Sequence, residues 1–175
     1  MRRVRTFVSL FGVVPLAFTA TLACGQALPE ARVALVVGNG GYKTGALKAP
    51  PQDAKAIAET LKHLGFDVVE LTDGTRSEMY AALARVQEAM RGGVKIGLLY
   101  YSGHALQFGQ RNYLIPIDAQ LTGPSEVLAN TVDVQASFSA AGTYVLQLAA
   151  SDGALSASDQ ATVTVQAAAT NTAPT

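Results

Sequence analysis

Two histidines, one cysteine and a scatter of carboxylates are what this chain offers to nucleophilic or metal chemistry. His104 stands where chemistry is usually built. It closes Ser102-Gly103-His104, directly after the apolar run 96–101, IGLLYY. Such a run, without alternation, reads as a strand buried on both faces. A histidine at the C-terminal end of that strand sits where open α/β sheets place ligands and reacting groups. An imidazole there can take a proton from a thiol or hydroxyl as a general base. The other reading is a histidine that ends a strand and hydrogen-bonds within its turn. His63 falls in the last turn of an expected helix, where a cation suits the dipole, and is read as structural or solvated. Cys24 and two histidines are too few for a Cys/His metal centre, so no metal and no cofactor is expected.

The elements that must position His104 follow from periodicity. Residues 32–38, RVALVVG, form a second buried-strand pattern that opens into Asn39-Gly40-Gly41-Tyr42. A helix is expected over 52–64, with Ala54, Ile57, Ala58, Leu61 and Leu64 on one face. Pro50 and Pro51 precede its start, Asp53 is an N-cap or first-turn acid, and Gly65-Phe66 is the stop. A third strand spans 67–71, and Asp73-Gly74 turns the chain. Thr75-Arg76-Ser77-Glu78 is a capping box opening a helix over 76–91, striped by Met79, Leu83, Val86 and Met90. The central strand follows, then a hairpin over 106–115. Strand, helix, strand, helix, strand predicts an α/β fold, with a mostly parallel sheet and helices on its faces.

The chain has 175 residues, and acidic and basic side chains balance at 13 each. No long-range field, basic stripe or aromatic ladder argues for nucleic acid. Residues 1–27 read as a signal peptide outside the fold: Arg2, Arg3 and Arg5 ahead of an apolar stretch, then small residues up to Ala27. The stretch is short for a spanning helix and broken by Pro15, so no membrane attachment is expected unless Cys24 is lipidated. The expectation is export, to the periplasm or outside the cell.

Beyond Pro116 the vocabulary changes. Residues 136–166 are rich in Ala, Ser, Thr and Val and nearly uncharged, with alternation at Tyr144, Leu146 and Leu148 and again at Ala161, Val163 and Val165. Residues 167–175, AAATNTAPT, have linker composition.

RVALVVGNGGY, PPQDAKAIAETLKHLGF, LLYYSGHALQFGQRNYLIPIDA and SEVLANTVDVQ together resemble the caspase-like cysteine peptidases, in their bacterial, metacaspase-related form. The blocks occur in the family's order, over about residues 32–135. The resemblance implies a caspase-haemoglobinase-like sheet, with His104 as the catalytic histidine and peptides or proteins as substrates. It implies an oxyanion donor in the amide of Ala105, where the commonest family form has glycine. It places Asp53 in the acidic-residue block that serves Arg or Lys side chains of substrates, beside its other reading as a helix N-cap. The family's cysteine lies about 50 residues after the histidine, which points here to roughly residue 154. The chain has Ser151-Asp152-Gly153 there and no cysteine. The segment 136–166 resembles the last strands of an immunoglobulin-like, PKD-type repeat, with Gly142-Thr143-Tyr144 similar to a tyrosine corner; about 30 residues are too few for a whole sandwich.

The resulting division is a signal peptide at 1–27, an incomplete caspase-like domain at 28–135, an immunoglobulin-like fragment at 136–166 and a linker at 167–175. Two functions stay open: a cysteine-endopeptidase domain inactive for want of its nucleophile, and a non-catalytic exported binding module. A third, a phosphate-binding loop at Gly38 to Thr44, lacks the glycine before Lys43 and the third glycine of a dinucleotide fingerprint.

Overall fold

The computed structural model describes residues 5–15, 30–109, 111–136, 138, 140–151 and 156–166. In chain order the elements are β1 (Arg5–Pro15), β2 (Arg32–Gly38), α1 (Ala49–His63), β3 (Asp67–Thr72), α2 (Arg76–Arg91), β4 (Ile96–Phe108) and β5 (Arg111–Leu114). A 3-10 turn (Pro124–Glu126) then runs into α3 (Val127–Asn130), followed by β6 (Val132–Asp133), β7 (Gly142–Ser151) and β8 (Ser156–Val165). Strands β3, β2 and β4 lie side by side and parallel, with Val36 opposite Glu70 on one side and Tyr100 on the other. The two buried runs therefore pair in one sheet, as their lack of alternation requires.

Alternation along β2 and β4 divides the core into two layers. Ala34, Val36 and Tyr100 meet Ala54, Ala58 and Leu61 of α1. Leu35, Val37, Leu99 and Tyr101 meet Met79 and Ala82 of α2. Each large apolar side chain removed from water in this way contributes about 1.5–3 kcal/mol. Helix α2 begins at its expected capping box: the Thr75 N–H donates to Glu78 Oε2 at 2.8 Å, and the Glu78 N–H to Thr75 Oγ1 at 3.4 Å. The Thr75 hydroxyl, donating to Glu78 Oε2 at 2.6 Å, and after it the Thr75 N–H hold the Glu78 carboxyl below its ordinary pKa.

Helix α1 departs from expectation at its start. It begins at Ala49 and takes both prolines into its first turn, with Lys48 at the N-cap making no side-chain cap. First-turn N–H groups have no helical acceptor, so two residues lacking that N–H and preset near helical φ are well placed there. Asp53 consequently lies beyond the first turn and is not an N-cap. The stop is as read: Gly65 has φ 81° and the Phe66 N–H bonds back to Leu61 O at 3.0 Å.

Strand β4 does not end at Tyr101. It continues to Phe108 and changes partner on one edge, leaving β2 at Ser102 and joining β5 from Ala105. Its other edge is taken by β1, antiparallel, from Arg5 opposite Ala105 to Val13 opposite Gly97. Residues 1–27 were expected outside the fold, and the structure instead puts Arg5–Pro15 inside the sheet. Its extended backbone finds hydrogen-bond partners along an edge of β4 that, among the described residues, no other element covers. Cys24 and the segment 16–29 lie outside the described residues.

Strand β7 pairs with β1, and β8 with β7, both antiparallel, so the tail joins the same sheet through β1. The Tyr144 hydroxyl donates to the Ala140 carbonyl at 2.9 Å. The linker 167–175 and the Asp152-Gly153 turn lie outside the described residues.

Candidate active site

His104 sits where β4 exchanges β2 for β5, at the C-terminal end of the parallel strands. Residues two apart share a face, so Tyr100, Ser102 and His104 line the α1 side of the sheet, while Tyr101 and Ala105 face α2. The loop between β2 and α1 closes over the histidine. The Nε2 atom of His104 is 2.6 Å from the Gly45 carbonyl oxygen. A carbonyl only accepts, so Nε2 carries the proton and Nδ1 holds the free lone pair. Nδ1 is enclosed and meets no hydrogen-bond partner among the described residues. The ring thus has one nitrogen fixed by a backbone carbonyl and the other unengaged.

The backbone of His104 is held from both sides by tyrosines. Its N–H donates to Tyr42 Oη at 3.0 Å, and its carbonyl accepts from Tyr101 Oη at 2.7 Å. The Tyr42 ring also lies against the imidazole, centroid to centroid 4.5 Å at a tilt of 43°. Burial pushes the Tyr42 hydroxyl up in pKa and the Tyr101 hydroxyl well up, so both keep their protons. Gly103 is required by this arrangement: a Cβ there would stand 2.7 Å from both hydroxyl oxygens.

Asn39, fully buried, ties the strand ends together. Its N–H donates to Ser102 O at 2.8 Å, its Oδ1 accepts from the Gly74 N–H at 2.9 Å, and its Nδ2 reaches Ile115 O at 3.3 Å. Asp73, in the left-handed region at φ 51°, accepts the Gly40 and Gly41 N–H groups at 2.8 and 2.7 Å and so anchors the same loop. The glycines that suggested a phosphate loop therefore serve a carboxylate of the chain itself.

Of the residues singled out in the sequence, the structure brings His104 and Asp53 to one face. Asp53 is exposed on α1, and its charge reaches the Tyr100 hydroxyl, whose pKa is raised first by burial and then by that carboxylate. Ala105 adjoins the histidine, and its side chain belongs to the α2 core with Tyr101 and Leu114. The His104 carbonyl faces β5, where it accepts the Ile115 N–H at 3.0 Å. Alternation turns the Ala105 N–H to the opposite edge, where Arg5 is its partner residue. His63 is exposed in the last turn of α1. Ser151 ends β7, opposite Ser156. Among the described residues no three His, Cys, Asp or Glu gather as a metal site, and no helix is long and apolar enough to cross a membrane.

Tyr42, Gly45, Asn39, Tyr101 and Asp73 had not been singled out. Their nearest signal is position: four stand at a strand's end or in the loop just after it, where α/β sheets build sites.

The caspase domain, as a family, matches residues 31–174, a stretch that runs on past position 135 through β7 and β8. The chain is similar to the mucosa-associated lymphoid tissue lymphoma translocation protein 1 homolog of Mus musculus, 38% identical over 96 residues, covering 54% of this chain and 11% of the relative. It is similar in the same measure to mucosa-associated lymphoid tissue lymphoma translocation protein 1 of Homo sapiens, 38% identical over 95 residues. The chain thus spans about a tenth of the length of these curated relatives, 11% in each case. With a match covering most of its length, the chain belongs to the caspase-domain family.

Proposed function

We propose that this chain carries the histidine half of a cysteine-endopeptidase centre, in the bacterial, metacaspase-related branch, and is itself without peptidase turnover. The observation that carries this is His104: Nε2 bonded to the Gly45 carbonyl, Nδ1 free. In such a centre the free nitrogen takes the proton of a thiol, and the thiolate attacks the substrate carbonyl. Cys24 is the one cysteine in the sequence, and it precedes the whole caspase-like segment. The amide of Ala105 is the oxyanion donor in this reading once β1, whose Arg5 pairs with Ala105, has left that edge. Asp53 is the acidic partner for an Arg or Lys side chain of a peptide or protein substrate.

The test is turnover of Arg- and Lys-terminated reporter peptides by the purified chain, beside His104→Ala. Loss of one member of a catalytic triad leaves rates orders of magnitude below the intact enzyme. Equal background from both proteins is expected. Turnover that vanishes with His104→Ala would overturn the reading and direct attention to Ser151 or to a partner chain supplying the nucleophile.

A second reading is favoured by Tyr144, whose bond to Ala140 is that of an immunoglobulin-like tyrosine corner. Under it the tail is an immunoglobulin-like, PKD-type strand pair and the chain an exported binding module, with residues 1–27 its signal peptide. Mass spectrometry of the chain recovered from the cells and from their medium tests the export: an N-terminus at Leu28 supports it, and a chain found only in the cells with Met1 intact opposes it.

A further inference from the structure

We infer that Tyr42 is a positioning residue for His104, holding the loop that fixes which imidazole nitrogen carries the proton. The inference rests on the reading of His104 as a base. Three contacts link one short loop to one residue. Tyr42 Oη accepts the His104 N–H at 3.0 Å, its ring lies 4.5 Å from the imidazole, and Gly45, three residues on, receives Nε2–H at 2.6 Å.

The need for such a clamp lies in the sheet. At His104 strand β4 has left β2 and not yet begun its residue pairing with β5. Its carbonyl accepts the Ile115 N–H, while its own N–H goes to a tyrosine hydroxyl instead of a strand. A buried N–H without an acceptor is costly, so the loop is tied to β4 at this point.

Proton counting makes the arrangement directional. Tyr101 Oη stands 2.7 Å from His104 O and 2.9 Å from Ile115 O, while Tyr42 Oη stands 3.0 Å from Ile115 O. Each hydroxyl has one proton. With Tyr101 donating over its shortest contact, to His104 O, the Tyr42 proton is left for Ile115 O, and its lone pair serves the His104 N–H. Tyr42 thus spans the loop, β4 and the residue after β5. Among the described residues the Tyr101 hydroxyl bonds to His104, to Ile115 and to Tyr42 itself, and not to Gly45. The two tyrosines share a network but have separable effects: Tyr42 governs the loop and so the imidazole, and Tyr101 governs the fold.

The experiment is a long-range proton–nitrogen spectrum of the histidine rings in the full chain, at a pH where they are neutral. The exposed His63 is the internal reference. His104 is expected wholly as the Nε2–H form. In Tyr42→Phe, which keeps the ring and loses the hydroxyl, a second population with the proton on Nδ1 should appear. In Tyr42→Ala the ratio should approach that of His63. Tyr101→Phe should lower the melting temperature and leave His104 wholly Nε2–H. A purely structural Tyr42 would lower the melting temperature without moving the proton. Should Tyr42→Ala not fold, Tyr42→Phe decides. A folded Tyr42→Phe with His104 still wholly Nε2–H overturns the inference and leaves the turnover result untouched. Turnover dependent on His104 would overturn the proposed inactivity without touching the proton's position.

Discussion

The carbonyl of Gly45 fixes the imidazole of His104, 2.6 Å from Nε2 and fifty-nine positions away in the chain. Gly45 can present that carbonyl because it sits at φ 75°, and a Cβ there would stand 3.3 Å from Nε2. Gly45→Ala should therefore act twice. The left-handed backbone costs an alanine about 1–2 kcal/mol, and the new methyl pushes the imidazole off the carbonyl. Chemical denaturation should show that loss of stability, and the His104 ring resonances should shift while those of His63 stay in place. A variant as stable as the parent, with unmoved His104 resonances, would show that this carbonyl does not fix the ring.

Much of this arrangement was legible before the fold was known, and the part that was not has a physical reason. The runs 32–38 and 96–101 had to be central strands because neither has a polar face, and they pair in register. Thr75 and Glu78 announced α2 because a capping box is local chemistry. The start of α1 was misplaced because Pro50 and Pro51 read equally as helix breakers and as first-turn residues; packing against β2 decides. Asn39, Tyr42 and Asp73 were opaque because their partners lie 32 to 76 positions away. The N-terminal segment is ambiguous for a different reason: its basic and apolar composition fits a leader, and the same apolar stretch fits a bare strand edge.

Asn39→Ala should be among the most damaging polar changes. The amide is fully buried and satisfies the Gly74 N–H while reaching two carbonyls. Its removal strands groups that water cannot reach, at about 1–3 kcal/mol for such a loss. Because those groups lie just past the ends of β3 and β5, hydrogen exchange should rise at Gly74 first. Unchanged exchange there would show that Asn39 does not hold these ends together.

Alkaline pH should expose the tyrosine pair. Burial raises the pKa of both Tyr42 and Tyr101 above the ordinary value of 10.0, Tyr101 the more. The unfolded chain then releases its phenolic protons first, so stability is complete below about pH 10 and falls as pH rises toward the folded values. Each such group steepens the fall by about 1.36 kcal/mol per pH unit within its window. Tyr101→Phe removes one of them. Its stability should be lower than the parent's at pH 8 and should decline less steeply above pH 10; parallel curves would mean that Tyr101 ionises as freely folded as unfolded.

The last prediction concerns β1. Leu10 is opposite Tyr100 on one side and Ala149 on the other, and β1 is antiparallel to both neighbours. Strands β4 and β7 therefore run parallel, with one strand between them. Beyond β1, strand β7 has only β8 as a strand partner among the described residues. A chain beginning at Leu28 lacks β1, which leaves a two-stranded hairpin and a bare β4 edge. An isolated hairpin is marginal in water, and an open edge invites pairing with another chain. Limited proteolysis of this shortened chain should clip the tail while residues 30–135 stay protected, and size-exclusion chromatography should show self-association absent from the full chain. The Ala105 N–H, released from Arg5, should also gain fast hydrogen exchange. A shortened chain that stays monomeric, with its tail as protected as in the full chain, would contradict this. The reading would then be that β7 has closed the gap of one strand spacing, about 4.8 Å, and taken the edge of β4 to which it is already parallel.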